Sequence, residues 1–168
     1  TTDLIIGNST IDGNLTLLSG GTITDTDGST VTVKGTLTAT TDASASVITL
    51  NDLAVDGAFT LDPDGTGAVT IVNDAGLILA ASTMGGTFSG TATTGDISDS
   101  GNLAITGTSN FTAANTQSVI LNNNNSFTGA VTFAAPSGNL KNVTVTNTMA
   151  LELAGMTLAK VGSSGGNL

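Results

Sequence analysis

The sequence predicts an all-β fold: a right-handed parallel β-helix of about seven coils, each of about 22 residues and three short strands. Three observations predict it. Gly13, Gly35 and Gly57 stand 22 residues apart, and so do Gly85, Gly107 and Gly129. Short segments that alternate apolar residues with Thr or Ser follow these glycines. The long polar side chains that helices carry on their solvent face are almost missing, since Glu152 is the one Glu and Gln117 the one Gln.

The elements can be justified in order. After each glycine comes a first segment: Asn14-Leu15-Thr16-Leu17, Thr36-Leu37-Thr38-Ala39, Ala58-Phe59-Thr60-Leu61, Thr87-Phe88-Ser89 and Ala130-Val131-Thr132-Phe133. Asn147 stands in for Gly before Thr148-Met149-Ala150-Leu151. A second segment follows, read at Val31-Thr32-Val33, Ile48-Thr49-Leu50, Val69-Thr70-Ile71, Ile97-Ser98, Val119-Ile120-Leu121 and Val143-Thr144-Val145. Asx residues then mark turns at Asn51-Asp52, Asn73-Asp74, Asp99-Ser100 and Asn122-Asn123. A third segment returns as Leu53-Ala54-Val55, Leu77-Ile78-Leu79 and Leu103-Ala104-Ile105. The longer step from Gly57 to Gly85 reads as an enlarged coil, with loops bulging at 62–67 and 80–86 where recognition could sit.

Alternation assigns the faces. In a strand successive side chains point to opposite sides, so Leu15 and Leu17, Phe59 and Leu61, and Val131 and Phe133 are expected inside, with Thr16, Thr60 and Thr132 outside. Strands of three or four residues are not stable alone; stacking each on its equivalent in the next coil, about 4.8 Å away, solves this. Seven such coils make a rod roughly 30–35 Å long. An antiparallel sandwich also uses short strands, but it does not require similar Gly-apolar-Thr-apolar segments at one fixed period.

Composition narrows the function. The 168 residues read as a single β-helix domain, 1–168, with thirteen carboxylates against Lys34, Lys141 and Lys160 and a formal net charge of −10. So acidic a chain cannot neutralise phosphates, which argues against nucleic acid and anionic membranes as partners. No apolar run is long enough for membrane insertion. Without His, Cys, Arg, Tyr or Trp the chain offers no zinc ribbon, thiolate chemistry or aromatic stacking on a sugar, and it is read as needing no cofactor and as not an enzyme.

Four patterns invite chemistry. Asp25-Thr26-Asp27-Gly28 and Asp62-Pro63-Asp64-Gly65 each set two carboxylates two residues apart. On a strand these would share a face, as a glycosidase pair needs; the simpler reading is a turn with Asx hydrogen bonds and a Gly at positive φ. Asp25, Asp27, Asp62 and Asp64 are also weak calcium candidates, because carboxylate and carbonyl oxygens suit that cation. An EF-hand would need Glu at the twelfth loop position, where Thr36 and Asn73 stand instead. Outward Thr columns suggest an ice-matching face, although Asn14, Ala58 and Ala130 interrupt the flank of Thr36. The sequons at Asn8, Asn14, Asn110, Asn124 and Asn142 arise readily in a chain this rich in Asn and Thr.

The run Gly101-Asn102-Leu103-Ala104-Ile105-Thr106-Gly107-Thr108, then Asn110-Phe111-Thr112-Ala113, resembles the repeats of filamentous haemagglutinin-type and autotransporter-like β-helical adhesins. So does Ser118-Val119-Ile120-Leu121-Asn122-Asn123 running into Asn125-Ser126-Phe127-Thr128-Gly129-Ala130-Val131. The resemblance covers residues 95–150 in detail and the rest by pattern. It implies a secreted bacterial cell-surface protein acting as a stiff shaft or adhesive segment, with host or cell-surface glycans or proteins as partners. Gly166-Asn167-Leu168 echoes Gly13-Asn14-Leu15, so the chain is expected to be a segment of a longer rod. The alternative is a subunit that stacks end to end into a filament. A polysaccharide-binding or polysaccharide-degrading β-helix is the third expectation.

Overall fold

The computed structural model describes residues 2–156 and 158, and these form one parallel β-solenoid with no helix. Lys160 and the Gly166-Asn167-Leu168 echo lie outside the described residues. Each coil has three faces. Face A stacks Leu4–Ile6, Ile23–Asp25, the first half of Ile48–Val55, Val69–Asn73, Phe88–Ala92, Ser109–Ala113, Val131–Ala134 and Leu153–Met156. Face B stacks Ser9–Ile11, Val31–Val33 and the second half of Ile48–Val55. From the fourth coil on its place is taken by Leu77–Leu79, which pairs with the start of Ala58–Asp62, and then by Ile97–Asp99, the start of Val119–Phe127 and Val143–Asn147. Face C stacks Leu15–Ser19, Leu37–Thr41 and Ala58–Asp62 by strand pairing. From the fourth coil on it stacks Ser82–Met84, Leu103–Ile105 and the end of Val119–Phe127, joined to Ala58–Asp62 through Leu61 N–H donating to Ser82 Oγ at 3.0 Å. Counting from face A, seven coils are followed by one strand of an eighth.

Why these residues make these strands is visible in their exposure. Leu17, Phe59, Leu61, Val131 and Phe133 are buried as the alternation requires, and Leu15 of the first coil is half-buried. Thr16 is exposed, and Thr60 and Thr132 lie half-exposed on the outside. The buried side chains form one continuous core. It holds all five Phe, and Phe111 gathers three of the others: Phe88 at 5.3 Å, Phe133 at 5.7 Å and Phe127 at 5.8 Å between ring centroids. Gly90 occupies an inward position in the same layer, where a Cβ would lie 2.6 Å from Phe88 Cζ and 2.9 Å from Leu77 Cδ2. The missing side chain is the space the Phe88 ring fills.

Three sequence expectations need correction. The second and third segments are not two columns. Val31–Val33 pairs with 53–55 on face B, whereas Ile48 pairs with Ile23 and Val69 on face A. Alternation reports inside and outside but is the same on every face, so it cannot tell one face from another. The long step from Gly57 to Gly85 is likewise no enlarged coil. Gly13, Gly35 and Gly57 stack at the corner between faces B and C, with Gly35 N–H donating to the Gly13 carbonyl at 3.0 Å and Gly57 N–H to Gly35 at 3.1 Å. Gly86, Gly107 and Gly129 stack at the corner between C and A. The glycine column changes corner, while Val69 to Phe88 is a short step of 19 residues. Within 80–86, Ser82–Met84 is a strand of face C and does not bulge. Finally, 148–151 forms no inward strand, and Met149 is exposed.

Corners are held by side chains that reach one coil along the axis. Thr30 N–H donates to Asn8 Oδ1 at 2.7 Å, and Thr36 N–H donates to Asn14 Oδ1 at 2.9 Å. Asn51 and Asp52 N–H both donate to Asp25 Oδ2 at 2.7 Å. Asn73 and Asn125 are fully buried, and each clamps the backbone of the preceding coil. Asn73 accepts from Val55 N–H at 2.8 Å and donates to the Val55 carbonyl at 2.9 Å. Asn125 accepts from Leu103 N–H at 2.8 Å and donates to Asp99 Oδ2 at 2.7 Å. Replacing Asn125 by Leu keeps the volume and leaves Leu103 N–H and the Asp99 carboxylate short of partners. The expected loss is about 2–3 kcal/mol, read by urea unfolding. A variant as stable as the parent would show that the clamp contributes nothing.

Candidate functional site

The Asp-x-Asp-Gly motifs fold as corners. Asp25 ends a face A strand, Ser29 N–H closes a turn on the Thr26 carbonyl at 2.9 Å, and Gly28 holds φ 72°. Asp62 ends a face C strand, Gly67 N–H reaches the Asp64 carbonyl at 3.3 Å, and Gly65 holds φ 59°. A positive φ at those glycines is the conformation an Asx turn asks for. The two motifs occupy different corners, A–B and C–A, so the four carboxylates do not converge. Asp25 is committed to the Asn51 and Asp52 amides, and Gly28 N–H donates to Asp52 Oδ2 at 3.1 Å. Among the described residues no group of three or more metal-ligating side chains could share an ion.

A concave surface lies at the C–A corner. Here the link between faces is short in most coils but long in two, at 42–47 and 63–68. The two long links stack: Ala45 N–H donates to the Asp64 carbonyl at 3.2 Å, and Asp64 N–H donates to Thr41 Oγ1 at 3.1 Å. Ala45 holds φ 64°, a conformation a residue with a Cβ keeps only where its surroundings impose it. Beside them the following coils turn tightly, leaving a cleft of about 530 Å³. Asp42, Asp62 and Asp64 stand on one wall, and Thr83 and Thr106 on the other. The cleft presents carboxylate and hydroxyl oxygens. The bulge expected at 62–67 is therefore part of it, with Asp62 and Asp64 among its lining. Asp42 was not singled out in the sequence; the polar, small-residue run Asp42-Ala43-Ser44-Ala45-Ser46 between two strands was the available signal.

A stack of parallel coils around one core, with corner links as its variable parts, defines a β-solenoid repeat protein. Residues 1–62 and 66–134 match the family described as repeats of unknown function (DUF5649), and the chain belongs to that family. No curated protein and no solved structure matches the chain.

Proposed function

We propose that this solenoid is a stiff shaft or adhesive segment of a secreted bacterial cell-surface protein, similar in role to the filamentous haemagglutinin-type rods, and that it acts through shape and length without catalysis. The observation that carries this reading is the single core running unbroken through all seven coils. Each coil is tied to the next by strand pairing and by corner side chains. Such a rod resists bending because any bend must open ladders on one side.

A second reading, a subunit stacking end to end into a filament, is favoured by the first coil. Its inward Leu4, Ile6 and Leu15 are only half-buried. The cleft beside Asp62 favours a third, recognition of a polysaccharide along the corner. Electron microscopy of the purified chain across a range of concentrations separates the first two. Short, monodisperse rods at every concentration are expected for a shaft. Fibres one solenoid wide that lengthen with concentration would replace that reading by the filament. A glycan screen tests the third: turnover would refute the non-catalytic proposal, and saturable binding lost in Asp62→Asn would locate recognition at the cleft.

A further inference from the structure

We infer that the unit this family repeats is a block of three coils, and that the free edge of its third coil is the surface on which the next unit of the same kind docks. The two family matches, 1–62 and 66–134, begin alike. Leu4 steps to Ile23 in 19 residues and Val69 steps to Phe88 in 19, the two shortest steps on face A; the others run from 21 to 25. Each short step ends on Gly-Gly-Thr followed by an apolar residue, Gly20-Gly21-Thr22-Ile23 and Gly85-Gly86-Thr87-Phe88, 65 residues apart.

The second glycine of each pair lies against the coil beneath. A Cβ at Gly21 would fall on the Asp3 carboxylate, with the Thr2 carbonyl oxygen 3.1 Å away, and one at Gly86 would fall on the carbonyls of Thr66 and Gly67. One coil further, Lys34-Gly35-Thr36-Leu37 returns as Ser100-Gly101-Asn102-Leu103, 66 residues on, with both leucines buried on face C. Val31 and Ile97, both fully buried, are also 66 apart, as are Leu53 and Val119. The period that aligns short steps, glycine pairs and buried leucines is therefore three coils, and single coils within it differ.

The docking surface follows from the place where the third coil of one family match meets the first coil of the next, and from the equivalent edge three coils on. Ile48, Thr49 and Leu50 pair with Val69, Thr70 and Ile71 between the family matches. Three coils later Ser109, Asn110 and Phe111 pair with Val131, Thr132 and Phe133 in the same register. Both joints bring an apolar-polar-apolar strand opening with Val onto the third coil, and both continue the core without a gap. The partner is another three-coil unit of this family, held by backbone ladders and inward apolar columns.

Duplication within the full chain tests this independently of whether the rod is a shaft. Repeating residues 69–130 directly after Ala130 adds three coils and makes one new joint, a third coil under a first coil. The product is expected to be a single rod about 14 Å longer that melts in one transition at or above the parent's temperature. Repeating 109–130 alone inserts a second Phe111 between Phe111 and Phe133 and a second Phe127 over the first, so the paired Phe111–Phe133 layers become three successive Phe layers. That overpacked product is expected to melt at least about 5 °C below the three-coil duplicate. Equal melting of the two duplicates would make the single coil the unit. A three-coil duplicate that unfolds in two transitions, or fails to fold, would refute the docking edge.

Discussion

Gly107→Val is expected to remove at least about 3 kcal/mol of stability, lowering the melting temperature by roughly 6–12 °C. Gly107 sits in the column at the C–A corner, where its N–H donates to the Gly86 carbonyl at 3.2 Å. A Cβ there would fall on that same carbonyl, with Thr87 N 2.7 Å away. The obstacle is backbone, which no rotamer change can move aside. Gly129 rests on Gly107 from the other side in the same close approach, so the corner cannot yield by shifting outward. Amide exchange should lose protection first in the coils on either side of Gly107, because a solenoid propagates strain between neighbouring coils before remote ones. Melting within a degree of the parent would mean that the corner has room and that the glycine column is incidental.

Phe111→Ala is expected to cost about 3–5 kcal/mol. Phe111 is fully buried, and its ring meets those of Phe88, Phe127 and Phe133 within 6 Å. Its removal leaves a cavity that the surrounding strands, pinned by ladders above and below, cannot collapse into. Phe111→Leu should recover more than half of the loss by refilling most of that volume. Chemical unfolding of the two variants against the parent makes the comparison. Equal losses for Ala and Leu would show that the ring contacts, and not the filled volume, set the stability of this layer.

Much of this architecture could be read without coordinates. Gly35 and Gly57 each carry a close carbonyl on the coil beneath, so a period of 22 was a true sign of stacking. Leu17, Phe59 and Phe133 were legible as core because polar neighbours flank them in alternation. The turn character of Asp25-Thr26-Asp27-Gly28 and Asp62-Pro63-Asp64-Gly65 was legible from residue chemistry, since Asx and Gly supply what those corners need. The cleft was not. Thr83 and Thr106 lie one and two coils beyond the Asp62 loop, and nothing local in the sequence says that they face it.

By itself, then, the sequence determined the class of fold, the inward set and the character of the corners, because each depends on a residue and its neighbours within a few positions. Only the tertiary structure decided which face each strand joins, where the glycine column changes corner, and which carboxylates share a surface. The physical reason is that a parallel solenoid builds every face from the same alternation. Face identity is set by the length of each corner link and by contacts some twenty residues apart, such as Asn125 to Leu103 and Asp25 to Asn51.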